Sequence, residues 1–155
     1  MHLHLLAVGR LRPSYREACD DYLRRLGRYV KVTEVEVKEA SRAPAVDTRR
    51  EEEAARLLAK APAGATVVAL AREGSPWTSE ELAARVESWR VAARPLAFLI
   101  GGSHGLAAGL LASAAVRWSL GPLTLPHELA RVIVVEQLYR AFTILRGEPY
   151  HKGRP

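Results

Sequence analysis

The last third of the chain gathers the groups best able to hold and transform a small molecule. Two segments stand out there: Leu99-Ile100-Gly101-Gly102-Ser103-His104-Gly105 and Ser119-Leu120-Gly121-Pro122-Leu123-Thr124-Leu125-Pro126-His127. Each follows a β-like run and leads into a helix-like run. Helix starts after strand ends are where α/β proteins offer free N–H groups to ligands. A long apolar stretch behind the second segment ends in Pro149-Tyr150-His151-Lys152, which adds a phenol, an imidazole and an ammonium group.

Gly101-Gly102 makes a turn without Cβ atoms, so either a ligand or a neighbouring strand can come close. The spacing is not G-x-G-x-x-G, which argues against a nucleotide-binding oxidoreductase, and no Gly-Lys-Ser/Thr follows to make a phosphate-binding loop. Leu120 to Pro126 is apolar where a loop is usually hydrophilic. A buried loop must find partners for its N–H and C=O groups. Those partners are either other backbone inside the fold or a flat heterocycle such as adenine, which has polar edges and apolar faces.

His104, His127, Arg131, Glu136, Arg140, Tyr150 and His151 surround these loops in sequence. The histidines lack a close helical ligand spacing and an acidic triad, so no metal is expected. Ser103 lacks a nucleophile elbow and Ser119 closes a strand, so covalent catalysis is poorly served. Glu136, amid Val132 to Val135, needs a partner if buried. Arg140, four residues on, supplies an ion pair, or else the carboxylate meets substrate.

The elements that must position these groups alternate in type. Leu3 to Val8 reads as a first strand, closed by Gly9. Ser14 and Glu17 read as a capping box opening a helix with Ala18, Tyr22 and Leu26 on one face. Val32, Val35 and Val37 supply a second strand, 39 to 46 a loop, and Asp47 a cap for a helix with Ala54, Leu57 and Leu58 inside. Thr66 to Ala71 is an apolar strand of the kind buried on both faces, followed by a loop from Arg72 to Pro76. Thr78 with Glu81 makes a second capping box, before a helix carrying Leu82, Val86 and Trp89. Leu96 to Ile100, Leu106 to Ala115 and Val116 to Leu120 read as strand, helix and strand, and His127 to about Arg146 as the final helix. The order predicts an α/β fold with a mainly parallel sheet and flanking helices, in a single domain over 1–155. The last helix is apolar nearly all round, from central packing or from burial against a second subunit.

Composition bounds the rest. The chain has 155 residues, 48% hydrophobic and 26% charged, and a formal charge of +6. Of 23 basic residues 19 are arginine, a side chain suited to phosphate contacts and base stacking. Arg10, Arg12, Arg24, Arg25 and Arg28 form an N-terminal cluster, either solvated or docking a nucleic acid. One cysteine, Cys19, excludes an internal disulfide and sits among helix-spaced apolar residues as a core thiol. The uncharged stretch 95 to 116 is broken by Pro95 and four glycines, so no membrane span is expected and the location is read as cytoplasmic.

The sequence closely resembles the ribosomal RNA large subunit methyltransferase H family, small members of the SPOUT methyltransferases. The resemblance begins at Leu6-Ala-Val-Gly9 and runs through Leu99-Ile-Gly-Gly-Ser-His-Gly105, Trp118-Ser-Leu, Leu123-Thr-Leu-Pro-His127, Arg131-Val, Glu136-Gln-Leu-Tyr-Arg-Ala141 and Pro149-Tyr-His-Lys152. It implies a C-terminal deep trefoil knot, a feature too rare for composition to predict. S-adenosylmethionine would lie in the knot on the backbone of Leu120, Gly121, Pro122, Leu123, Thr124 and Leu125, by Gly101 and near Leu70. The family methylates N3 of a pseudouridine in helix 69, a stem-loop of 23S ribosomal RNA. It acts on the assembled 70S ribosome as a homodimer whose partner residues complete the site.

An imide N3 is mostly protonated near neutral pH, so a base or an anion-stabilising donor helps. His127, Arg131, Tyr150 and His151 are expected around the target base, Arg131 on its O2/O4 anion and Tyr150 and His151 nearest the nucleotide. No one of them is singled out as proton acceptor. Gly121-Pro122 departs from the family, where a Ser and a small or polar residue are usual, and proline removes one N–H donor. The alternative is a non-catalytic RNA-binding or ribosome-associated module that keeps the fold.

Overall fold

The computed structural model describes residues 1–153; Arg154 and Pro155 lie outside the described residues. Five parallel strands form one sheet in the order β2-β1-β4-β3-β5. They are β1 (His2–Val8), β2 (Lys31–Val37), β3 (Thr66–Pro76), β4 (Leu96–Ile100) and β5 (Val116–Ser119). The helices are α1 (Pro13–Leu26), α2 (Val46–Lys60), α3 (Ser79–Ala92), α4 (Ala108–Ser113) and α5 (His127–Leu145), with a 3₁₀ turn over Pro149–Gly153.

Side-chain alternation explains the layers. Leu3, Leu5 and Ala7 of β1 and Leu96, Phe98 and Ile100 of β4 point to the face covered by α1, α3 and α5. Leu6, Val8, Ala97 and Leu99 point to the other, where Leu57 of α2 and Leu110 of α4 cover them. Strand β4 is buried at every residue, as a central strand of a parallel sheet must be. Because all strands run the same way, their C-terminal ends emerge along one edge.

Four sequence expectations change. The α1 start is not a Ser14–Glu17 box: Arg12 is the cap residue and Pro13 the first helical one, with no side-chain cap. Proline fits there because its fixed φ suits the first turn and its missing N–H had no partner to lose. The Arg12 amide instead donates to Glu128 of α5, 2.7 Å away. Ala45, not Asp47, precedes α2, and Asp47 lies in its first turn, where a carboxylate favours the positive helix end. The third expectation to change is the loop Arg72 to Pro76, which is strand. After a register shift between Leu70 and Ser75, Ser75 and Pro76 pair again with Trp118 and Ser119. Finally, α4 is shorter than the run Leu106 to Ala115.

The helix α5 lies centrally, packed on both α1 and α3. A charge cluster ties its first turns to the sheet. Arg131, 2% exposed, donates to the Gly9 carbonyl (3.1 Å), to Glu34 (3.0 Å) and to Glu36 (2.7 Å). Arg16 of α1 grips the same carboxylates at 2.7 and 2.8 Å. Burial would push the Glu36 carboxyl up, but the hydrogen bond and charge of Arg131, with Arg16 beside it, hold it below its ordinary 4.5. Cys19, fully buried, is pushed up to about 11 by burial and by Glu34, an inert core thiol as expected.

A carboxyl depressed in the folded state adds stability above its unfolded pKa and loses it as pH falls through the folded value. Stability is therefore expected to drop on acidification below about pH 4.5. Arg131→Ala, which removes one of the two arginines holding Glu34 and Glu36, should cost about 1.5–3 kcal/mol at neutral pH. Urea unfolding across pH checks both; a variant as stable as the wild type would deny the tie.

Candidate active site

The ends of β3, β4 and β5 enclose a cleft of about 190 Å³ at the C-terminal edge of the sheet. On one side, Gly105 N–H donates to the Gly102 carbonyl at 3.0 Å and folds 101–105 into a tight turn. A Cβ on Gly101 would stand 2.6 Å from the Gly105 backbone. The glycine is thus demanded by its own turn.

On the other side, buried Ser119 shapes the exit from β5. Its Oγ accepts from the Gly121 N–H at 3.1 Å, and its hydroxyl faces the carbonyls of Arg72 (3.1 Å) and Gly121 (3.3 Å). Gly121 takes φ +116°, a conformation side-chain-bearing residues rarely adopt. The chain then runs along the cleft without joining any ladder. Among the described residues, the backbone groups of Leu123, Thr124 and Leu125 make no hydrogen bond within the protein. The loop is not buried as its apolar sequence suggested: Pro122, Leu123 (76% exposed) and Thr124 face outward, so these groups are open to water or to a ligand in the cleft.

Leu70, Gly101, Leu120, Gly121, Leu123, Thr124 and Leu125 all line the cleft, as expected, together with His127. Pro122 does not: it is exposed and outside the lining, so the cleft does not depend on an amide there. Ile100, Trp118, Ser119 and Arg72 also line it and were missed. A serine two residues before a glycine, able to close a side-chain turn, was the available signal for Ser119.

The other expected residues lie elsewhere in the protomer. Arg131, one turn beyond His127, points beneath the cleft into the Glu34–Glu36 cluster. Tyr150 donates to Glu136 at 3.2 Å, meets the Tyr139 ring edge-on and lies under the Arg140 guanidinium. Burial, the Glu136 charge and a hydrogen bond with Tyr22 push its phenol up, so it stays a donor at neutral pH. His151 Nδ1 is buried without a partner. Glu136 and Arg140 form the ion pair, at 3.1 Å. Glu136 follows His127 by nine residues, about 13 Å along the helix, which sets Tyr150 well away from the cleft in its own chain. His104 is exposed; its carbonyl accepts from Arg50 at 2.7 Å.

Three arginines of the N-terminal cluster are engaged in ion pairs: Arg12 with Glu128, Arg24 and Arg25 with Asp21. Among the described residues, no group of three or more His, Cys, Asp or Glu is placed to hold a metal, and no helix is long and apolar enough to cross a membrane.

Comparison with known proteins gives this edge of the sheet a lineage. Residues 1–151 match the family described as "Predicted SPOUT methyltransferase". A ribosomal RNA large subunit methyltransferase H of Rubrobacter xylanophilus is 54% identical over 152 residues, covering 95% of this chain and 96% of its own. That of an Anaeromyxobacter species is 49% identical over 153 residues, covering 98% and 100%. The structure of a probable methyltransferase from Bordetella pertussis aligns with a TM-score of 0.54 at 18% identity, over 90% of this chain and 95% of that one, a likeness of fold alone. The chain belongs to the SPOUT methyltransferase family, among the relatives named ribosomal RNA large subunit methyltransferase H.

Proposed function

We propose that the protein is an S-adenosylmethionine-dependent methyltransferase acting on N3 of a pseudouridine in helix 69 of 23S ribosomal RNA, on the assembled ribosome in the cytoplasm. The observation that carries this reading is the cleft of unpaired main-chain groups between apolar walls. Leu70, Ile100, Trp118 and Leu125 offer faces to a flat heterocycle. The free N–H and C=O groups of Leu123 to Leu125 offer hydrogen bonds to its edge. S-adenosylmethionine, when bound, supplies a methyl group on a sulfonium leaving group.

The protein's own task is alignment and charge. His127 stands on the cleft wall in the first turn of α5, where the positive helix end favours the anion formed as N3 loses its proton. Arg131, already bound to two carboxylates and a carbonyl, acts by positioning that turn. Tyr150 and His151 reach a target base only at the cleft of a second copy, which supports a homodimer. In that role Tyr150 donates a hydrogen bond and the unpaired His151 Nδ1 is free to take one up.

The strand order also supports the deep trefoil knot. The β4–β5 connection must cross β3, after which α5 returns to pack on α1 and α3. The rival reading, a non-catalytic RNA-binding module, drew its support from Pro122, which lies outside the cleft lining.

Calorimetric titration should give one S-adenosylmethionine per chain. Leu125→Arg, which fills the cleft, should abolish binding with the circular dichroism spectrum unchanged; RNA binding by a wild type that takes no cofactor would favour the rival. Tyr150→Phe and His151→Ala should each slow methyl transfer to ribosomes at saturating cofactor by roughly 10²-fold. Wild-type rates in both would reject their assignment.

A further inference from the structure

The strand ends present a second feature that the cleft does not use. Reading the sheet from β2 inward, Lys38 and Arg42 follow β2, Arg10 follows β1, and Arg72 lies in the irregular part of β3 at the cleft. All four are exposed, and among the described residues none makes an ion pair. Three arginines of α2 add charge from behind. Arg56 donates to the Lys38 carbonyl (2.7 Å), Arg50 to the His104 carbonyl (2.7 Å), and Arg49 to the Ala43 carbonyl. These bonds hold the rim loops in place by backbone carbonyls, with Arg50 also paired to Asp47 at 3.4 Å, so the strand-end cations themselves are not neutralised.

The acidic groups nearby are few. Glu36 is taken up by Arg131 and Arg16, and Glu53 accepts from the Ala40 amide. Glu39, beside Gly9 and Gly102, and exposed Glu73 are the other carboxylates at the strand ends, while Asp47, Glu51 and Glu52 accompany the α2 arginines behind it. Arg10 and Lys38 also flank a groove with Ser41 that opens at the ends of β1 and β2.

We infer that this rim, from Lys38 and Arg42 through Arg10 to Arg72, is the track that docks the phosphate backbone of the RNA substrate and leads it to the cleft. The inference rests on the reading of the protein as an RNA methyltransferase. From β2 to β3 is three strand spacings, about 14 Å, a distance that a row of long cationic side chains spans without gaps. Unpaired cations on a stiff edge favour polyphosphate over any other partner, since each phosphate bound releases counterions. Three of the N-terminal arginines, Arg12, Arg24 and Arg25, lack this property, because Glu128 and Asp21 already hold them in ion pairs.

The test uses the full-length protein and purified ribosomes across a salt series. The triple variant Arg10→Gln, Lys38→Gln, Arg42→Gln should lower the log–log salt slope of binding by about 2. Its affinity for S-adenosylmethionine, read by calorimetry, should match the wild type and serves as the check on folding. A control pair on α1, Arg24→Gln with Arg25→Gln, both already paired with Asp21, should leave the slope unchanged. A triple variant with the wild-type slope, or a control pair that lowers it as much, overturns the track and leaves the methyltransferase reading standing. A wild type that takes the cofactor but shows no salt-dependent ribosome binding overturns the track as well, whereas a wild type without cofactor affinity removes the reading beneath it.

Discussion

Between β5 and α5, Leu123 to Leu125 keep their main-chain groups out of every ladder and helix, and three interactions hold the segment in that state. Ser119 closes a side-chain turn onto Gly121 at 3.1 Å, which throws the chain outward from the strand end. Glu128 binds the Arg12 amide at 2.7 Å and fixes the α5 start against α1. Arg131, a turn further on, is locked into the Glu34–Glu36 cluster. An apolar segment with unsatisfied N–H and C=O groups is costly unless water or a ligand completes it. The fold meets that cost at a single edge, where five parallel strands deliver their ends together.

This arrangement divides the work between layers. The sheet and its two apolar faces set the edge, and the loops after β4 and β5 make the cleft. The buried arginine belongs to the first task rather than the second. A side chain that is 2% exposed, with three acceptors within 3.1 Å, is directed into the Glu34–Glu36 cluster rather than lining the cleft. One turn earlier on the same helix, His127 lines the cleft. Tyr150 is likewise engaged in its own chain, by Glu136, Tyr139 and Arg140, and its tail stands far along α5.

Much of this was legible in the residues. Strand β4 was plain because five consecutive apolar residues between Pro95 and Gly101 can only be a buried strand of a parallel sheet. The Thr78–Glu81 box was equally plain, and both of its reciprocal hydrogen bonds form. The cleft loop was visible as an apolar segment in a place where loops are polar. Other features depended on partners far away in sequence. Nothing near Ser14 announces that Glu128 holds the α1 start from 116 residues away. The stretch Arg72 to Pro76 looked like a loop because its polar and glycine residues are local signals, whereas its pairing with β5 is not. Arg131 appeared as a candidate for substrate contact because helical spacing cannot say that β2 places two carboxylates against it.

The cleft between the turn at 101–105 and the segment 120–125 is the point on which function depends. A crystal of the protein grown with S-adenosylmethionine tests it most directly. Density for the adenine ring against Leu70, Trp118 and Leu125, with the amides or carbonyls of residues 123 to 125 within hydrogen-bond reach of its edge, is the expected result. Clear density elsewhere on the molecule, or an empty cleft at saturating cofactor, would contradict it.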